Sequence, residues 1–159
     1  MLLTVLTLAI LAPAVAPQSS TVAEPEVAAT VAQVLCAAQH PRLRWPLLGD
    51  VSRELWPLYE AEPDRLLWFE GRTPLPSVEG AVLAINDAHA YGLDPDDYDA
   101  SALQVQWVAI KRGGATPIDR AQFDLALSIA GARLIRAVYI GRIDPVLLRW
   151  KYDGPRKSL

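Results

Sequence analysis

The stretch from Thr116 to Gly141 constrains the fold of this 159-residue chain more than any other. Thr116 is a good N-cap, and Pro117 suits the first position of a helix. Apolar residues then recur at three- and four-residue steps and form one face, made of Phe123, Leu127, Ala130, Leu134 and Val138. The pattern predicts one long helix near residues 117–140, about 24 residues and some 36 Å in length.

Shorter helices are predicted before it, and one short helix is predicted after it, in the segment VLLRW at 146–150. Apolar residues recur at helical spacing over residues 26–39, 51–60, 77–89 and 103–110, with Asp50 and Ser77 as expected N-caps. Residues 66–70 form one apolar run and are expected to be extended or a buried loop. No alternation of strands and helices is present. The sequence therefore predicts an all-α fold, a single domain of about five to seven helices.

The totals exclude several classes of protein. A net charge of −3 provides no basic surface for nucleic acid, and 52% hydrophobic with 21% charged residues indicates a folded domain. The single cysteine, Cys36, excludes an internal disulfide and a multi-cysteine zinc site. No cofactor and no metal are predicted.

The first residues resemble an export signal. The uncharged run MLLTVLTLAILAPAVA ends in small residues and is followed by a polar linker, so residues 1–24 are interpreted as a signal-like segment and linker. A membrane anchor is one alternative, and a wrongly assigned start or a disordered tail is the other. If uncleaved, this segment is the expected membrane contact. The helical domain is assigned to residues 25–152 and a polar tail to 153–159.

Four aspartates crowd the stretch AYGLDPDDYDASAL, at 90–103, and three interpretations compete. A calcium loop needs oxygen ligands at alternate positions and a closing glutamate, which this spacing lacks. A catalytic carboxylate pair needs one desolvated member. Punctuation between helices is favoured: Gly92 ends one helix in a left-handed conformation, Asp94 caps a single turn that begins at Pro95, and Asp99 caps the next helix.

Two further groups of residues are candidates for chemistry. Cys36 and His40 stand four apart and could pair a thiol with an imidazole, but a buried cysteine and a histidine at the helix C-terminus are favoured. Arg133, Arg136 and Arg142 could hold a phosphate or a carboxylate, although a solvated helix face is favoured.

Three segments in this order resemble the scaffold domain of the large bacterial L,D-transpeptidases: LYEAEPDRLLWFEG at 58–71, YGLDPDDYDASAL at 91–103 and FDLALSIAGARLIRAVYIGRIDP at 123–145. The residues that carry the resemblance are Leu58, Tyr59, Glu60 and Trp68 in the first, Gly92, Leu93, Asp94, Pro95, Asp97 and Tyr98 in the second, and Gly141, Arg142, Asp144 and Pro145 in the third. The family's usual Arg-Gly-Tyr-x-Pro character is missing at positions 62–65.

The resemblance implies a mostly helical scaffold in the periplasm or exported to the cell envelope, acting in peptidoglycan cross-linking or cell-wall remodelling. The family's nucleophile lies in a Ser-His-Gly-Cys motif, which this sequence lacks. We therefore expect a non-catalytic chain, either a truncated gene product or a separate subunit, with peptidoglycan or a catalytic transpeptidase module as its partner.

Two alternatives stay open. The chain could be a free-standing exported module that binds peptidoglycan or a cell-wall protein through exposed aromatic residues, with Trp45, Trp56, Trp107 and Trp150 as candidates. It could also be a minimal hydrolase that uses Cys36 and His40.

Overall fold

A computed structural model describes residues 24–141 of the chain. Within these residues lie five α-helices: α1 Pro25–Ala37, α2 Ser52–Glu60, α3 Ser77–Asn86, α4 Ala100–Lys111 and α5 Pro117–Tyr139. Two 3-10 helices, Ala88–Tyr91 and Pro95–Tyr98, join α3 to α4. The predictions of an all-α fold and of one long helix near 117–140 are confirmed. The signal-like segment, the short helix predicted at 146–150 and the polar tail lie outside the described residues.

Helix α5 is the centre of the fold, and α1, α2, α3 and α4 all pack against it. It begins with a reciprocal capping box, in which Thr116 Oγ1 accepts from the Asp119 N–H and the Asp119 carboxylate accepts from the Thr116 N–H. From Arg120 to Ala130 only Gln122 is not buried, so this part of the helix is enclosed on every side. The last two turns emerge from the core, and Val138, predicted to face inward, is exposed.

A small hairpin closes one side of the core. Strand β1, Phe69–Glu70, pairs antiparallel with β2, Thr73–Pro74, in the register Phe69 to Pro74 and Glu70 to Thr73. The turn uses Gly71 at φ 59°, a left-handed conformation that glycine adopts without strain. Phe69 packs edge-on against Phe123 of α5, with ring centroids 6.2 Å apart, and this contact fixes the hairpin on the core.

Two predicted N-caps are wrong. Val51, not Asp50, precedes the first residue of α2, because the Asp50 carboxylate instead binds Arg133 of α5 through two hydrogen bonds. Ser77 is itself the first residue of α3, and its side chain makes no capping hydrogen bond. In neither helix does a side chain satisfy the first backbone N–H groups.

Among residues 24–141, none of the helices combines the length and the apolar character that a membrane crossing requires.

Candidate functional site

A largely buried polar group, called the Tyr59 cluster below, joins three parts of the chain: Tyr59 of α2, Trp68 before the hairpin, and Asp124 and Ser128 of α5. The Tyr59 hydroxyl donates to Asp124 Oδ1 at 2.6 Å and lies 2.8 Å from Ser128 Oγ. The Trp68 backbone N–H donates to Asp124 Oδ2 at 2.7 Å, and its indole N–H donates to Ser128 Oγ at 2.8 Å. The cluster thus ties α2 and the hairpin to α5.

Burial sets the electrostatics of the Tyr59 cluster. It raises the pKa of Asp124 to about 6, although hydrogen bonds from Tyr59 and from the backbone of Trp68 and Leu67 act in the opposite direction. Burial and the neighbouring Asp124 carboxylate raise the pKa of Tyr59 well above its ordinary value. Tyr59 is therefore a neutral hydrogen-bond donor at neutral pH. Both oxygens of Asp124 are occupied and its side chain has no exposed surface, so we regard the cluster as an anchor.

Two of the residues predicted from the resemblance, Tyr59 and Trp68, belong to this cluster, whereas their partners Asp124 and Ser128 were missed. A signal for the partners exists in the sequence, because two polar residues four apart interrupt the apolar middle of α5. The sequence neighbours of Tyr59 do not belong to the cluster, because Leu58 and Glu60 are exposed on α2.

The second motif forms two consecutive turns. The Gly92 N–H donates to the His89 carbonyl and the Leu93 N–H to the Ala88 carbonyl, with Gly92 at φ 72°, so a Schellman motif closes this 3-10 helix. Asp94 then accepts from the Asp96 N–H at 3.0 Å and caps the turn that begins at Pro95. These local predictions from the sequence agree with the structure.

Asp99 departs from its predicted role. It precedes α4 at φ 57°, but its side chain does not cap that helix. The buried carboxylate accepts instead from the Arg44 backbone N–H at 2.7 Å, which holds the segment after α1 against the aspartate turn. Tyr98 beside it is buried.

A groove of about 600 Å³, called the Trp45 groove below, lies where the second and third motifs meet. Asp97 and Tyr98 line one side and Gly141 lines another, while Trp45 and Leu47 project from a loop on the rim. Gly141 is at φ 101° at the end of the described residues. The other residues of the third motif, Arg142, Asp144 and Pro145, lie outside that range.

Arg133 organises the floor of the Trp45 groove. Its guanidinium donates to both oxygens of Asp50 at 2.8 and 3.0 Å and to the carbonyls of Trp45 and Leu47 at 3.0 and 2.7 Å. The Arg133 hydrogen bonds and positive charge, together with Arg136, keep the pKa of Asp50 below its ordinary value despite partial burial. A solvated face for Arg133 was predicted, and this is wrong: only 10% of its side chain is exposed, because it holds the loop.

Arg136 is also paired within the chain. Its guanidinium donates to Glu54 Oε1 at 2.9 Å and links α5 to α2. Of the three arginines considered as anion ligands, Arg133 and Arg136 therefore bind carboxylates of the chain itself. Arg142 lies outside the described residues.

Cys36 and His40 are not arranged as a reactive pair. Cys36 is exposed on α1, contrary to the expectation that it is buried. His40 is fully buried: its Nε2 lies 2.9 Å from the Gln122 carbonyl, and its Nδ1 accepts from the Arg42 N–H at 3.2 Å. Both ring nitrogens are thus engaged. Burial lowers the pKa of His40 to about 4, and the nearby Arg42 and Arg133 act in the same direction. His40 is a neutral link from the loop to α5 rather than the end of α1.

The tryptophans divide between core and surface. Trp107 is buried and stacks on Phe123 at 5.8 Å, whereas Trp45 and Trp56 are 53% and 42% exposed. Trp150 lies outside the described residues.

Between residues 24 and 141, no group of three or more His, Cys, Asp and Glu side chains is placed to hold a metal ion.

A scan of protein families matches residues 53–159 to the family described as Scaffold domain. The chain belongs to the Scaffold domain family. The matched range includes all three motifs of this Scaffold domain chain and every helix after α1 except the first residue of α2. Searches of curated proteins and of solved structures found no match.

Proposed function

We propose that this chain is a non-catalytic scaffold related to the L,D-transpeptidases, and that it acts in peptidoglycan cross-linking or cell-wall remodelling through a catalytic module supplied elsewhere. Its place would be the periplasm or the outer side of the cell envelope. One observation carries the proposal: four of the residues that carry the resemblance serve as joints of the fold. Tyr59 and Trp68 anchor two segments on α5, and Gly92 and Asp94 shape the turn before α4.

The state of the candidate reactive groups supports the non-catalytic part of the proposal. A cysteine nucleophile needs a nearby base or a depressed pKa. His40 cannot serve Cys36 as that base while both of its nitrogens are bonded to other groups. Tyr59 and Asp124 bond to one another in a closed cluster without access to substrate.

Muropeptide turnover tests this part of the proposal. We expect the purified full chain to show neither transpeptidase nor carboxypeptidase activity on disaccharide-tetrapeptide muropeptides, as followed by mass spectrometry of the products. The Cys36→Ala variant is the matched control. Turnover by the wild-type chain that disappears in Cys36→Ala would contradict the proposal.

The supporting role needs a second assay. Adding the full chain to an L,D-transpeptidase catalytic module from the same organism should raise the rate at which cross-linked dimers form, or the melting temperature of the module. An unrelated helical protein at the same concentration should have no effect. If the chain changes neither the rate nor the melting temperature, the scaffold role is refuted.

A second candidate function is direct binding of peptidoglycan by an exported helical module. It is favoured by the Trp45 groove, where the Trp45 indole is 53% exposed on the rim, because an exposed aromatic ring offers a flat apolar face against which a sugar ring can pack. Retention on purified sacculi that is lost in Trp45→Ala and kept in Trp56→Ala would favour this function. Equal retention of the two variants and the wild type would exclude the groove as the binding site.

A further inference from the structure

A second concavity, of about 620 Å³, lies away from the Trp45 groove, between the end of α2 and the hairpin. We call it the Leu58 pocket and define it by Leu58, Ala61, Asp64, Leu67, Glu70 and Leu75. Its apolar part is formed by Leu58, which is 53% exposed, together with Leu67 and Leu75. Leu66 and Phe69 are buried beneath it. The pocket thus offers several leucine side chains to a ligand.

The rim of the pocket is negative. Glu62 and Arg65 form an exposed ion pair at 3.2 Å and largely cancel each other. Asp64 and Glu70 remain, and neither side chain makes a hydrogen bond or an ion pair within residues 24–141. Two uncompensated carboxylates therefore border an apolar floor.

The C-terminal end of α2 adds to this negative potential. A helix C-terminus carries partial negative charge on its last carbonyl groups, which a backbone N–H or a basic side chain commonly offsets. In α1, α3, α4 and α5 a backbone N–H closes the last turn. Helix α2 has neither a closing N–H nor a basic residue there, and its final residue is Glu60. Ala61, the next residue, lines the pocket.

The walls of the pocket are fixed in advance. The Trp68 N–H, next to Leu67, donates to Asp124 at 2.7 Å, and the Leu75 N–H donates to the Trp68 carbonyl at 2.9 Å. Leu58 stands next to Tyr59 on α2, which the same buried carboxylate anchors. A pocket that is already ordered loses little conformational entropy when a ligand binds.

We propose that the Leu58 pocket binds an extended segment of a partner protein in which a leucine-sized apolar side chain stands beside a lysine or arginine. The apolar side chain packs against Leu58, Leu67 and Leu75. The basic group reaches Asp64, Glu70 and the open carbonyls at the end of α2. An acidic or purely apolar segment fits poorly, because it would leave these carboxylates repelled or without a partner.

Selection from a random heptapeptide display library on the immobilised full chain tests the proposal. We expect enriched peptides to combine a large apolar residue with an adjacent lysine or arginine. Affinity for a synthetic copy of the best peptide should fall about tenfold in Leu58→Ser, as expected for the loss of one leucine contact. It should also fall in Glu70→Lys and weaken as salt rises.

Leu83→Ser is the matched control, because Leu83 is 59% exposed on α3, outside the pocket, and its loss should leave peptide affinity unchanged. Circular dichroism establishes that each variant is folded. Failure to enrich any peptide, enrichment of acidic peptides, or affinity that is insensitive to Leu58→Ser and Glu70→Lys overturns the proposal. These outcomes are independent of the muropeptide assays, since the selection tests the chemistry of the pocket and not the cell-wall role.

Discussion

Replacing Asp124 by asparagine should change how the stability of the protein depends on pH. The substitution keeps the size of the side chain and removes its charge. The carboxylate lies wholly inside the protein, where it accepts hydrogen bonds from Tyr59 and the Trp68 backbone. Burial raises the pKa of the Asp124 carboxyl group to about 6. This carboxyl group therefore binds a proton more readily in the folded protein than in the unfolded chain.

The sign and size follow from that difference. The free energy of unfolding that Asp124 contributes is greatest below the ordinary aspartate pKa of 3.8 and is lost as the pH rises through 6. At 1.36 kcal/mol per pH unit the full change is about 3 kcal/mol, of which about 2.5 kcal/mol falls between pH 4 and pH 7.5.

His40 acts in the opposite direction. Its pKa falls from 6.5 to about 4 on folding, so its contribution is present above pH 6.5 and is lost as the pH falls towards 4, at a cost of about 3 kcal/mol. In the wild-type protein the two groups nearly cancel. In Asp124→Asn the loss caused by His40 is no longer offset.

The assay is urea denaturation followed by circular dichroism at pH 7.5 and pH 4. Between these two values we expect Asp124→Asn to lose about 2.5 kcal/mol more than the wild type. Asp50, Glu79 and Asp119 have lowered pKa values in both proteins, so their effect cancels in the comparison. Any change in the free energy of unfolding that asparagine causes equally at both pH values cancels as well. Equal losses in the two proteins would refute the assignment of a raised pKa to Asp124.

Three further predictions test individual positions. Arg133→Ala should lower the free energy of unfolding by about 3 kcal/mol in a denaturation series, since it removes four hydrogen bonds from a largely buried guanidinium and leaves Asp50 unpaired; a loss below about 0.5 kcal/mol would contradict this. Gly92→Ala should lower the free energy of unfolding by about 1 kcal/mol, because Gly92 has a positive φ. Gly80→Ala within α3 should raise it by up to about 1 kcal/mol, because alanine favours a helix more than glycine does. If the melting temperatures of the two variants move in the same direction, this contrast is refuted. Cys36 should react with a thiol reagent in the folded protein as fast as in urea, and protection would show that it is covered.

Local signals allowed much of the fold to be predicted. The N-cap at Thr116, the left-handed helix end at Gly92 and the cap at Asp94 depend on residues within a few positions of one another, and all three are present. The period of apolar residues predicted α5 to within about two residues at each end.

Contacts between distant residues could not be predicted in the same way. Asp50 was expected to cap α2, but Arg133, 83 positions later, competes for its carboxylate with two charged hydrogen bonds. The partners of Trp68 in the Tyr59 cluster are 56 and 60 positions away. No periodicity in a single sequence shows which helix will face which loop. The contacts at the floor of the Trp45 groove and at the anchor of the hairpin could therefore be found only in the three-dimensional structure.

The central claim is that the motif residues Tyr59 and Trp68 act as structural anchors on α5, and hydrogen exchange at one amide tests it most directly. The Trp68 N–H donates to a fully buried carboxylate, so it should exchange only at the rate of global unfolding. The Asp64 amide, in the loop before it, makes no backbone hydrogen bond and should exchange early. If the Trp68 amide of the folded protein instead exchanges as fast as that of Asp64, the loop is not anchored and the claim is wrong.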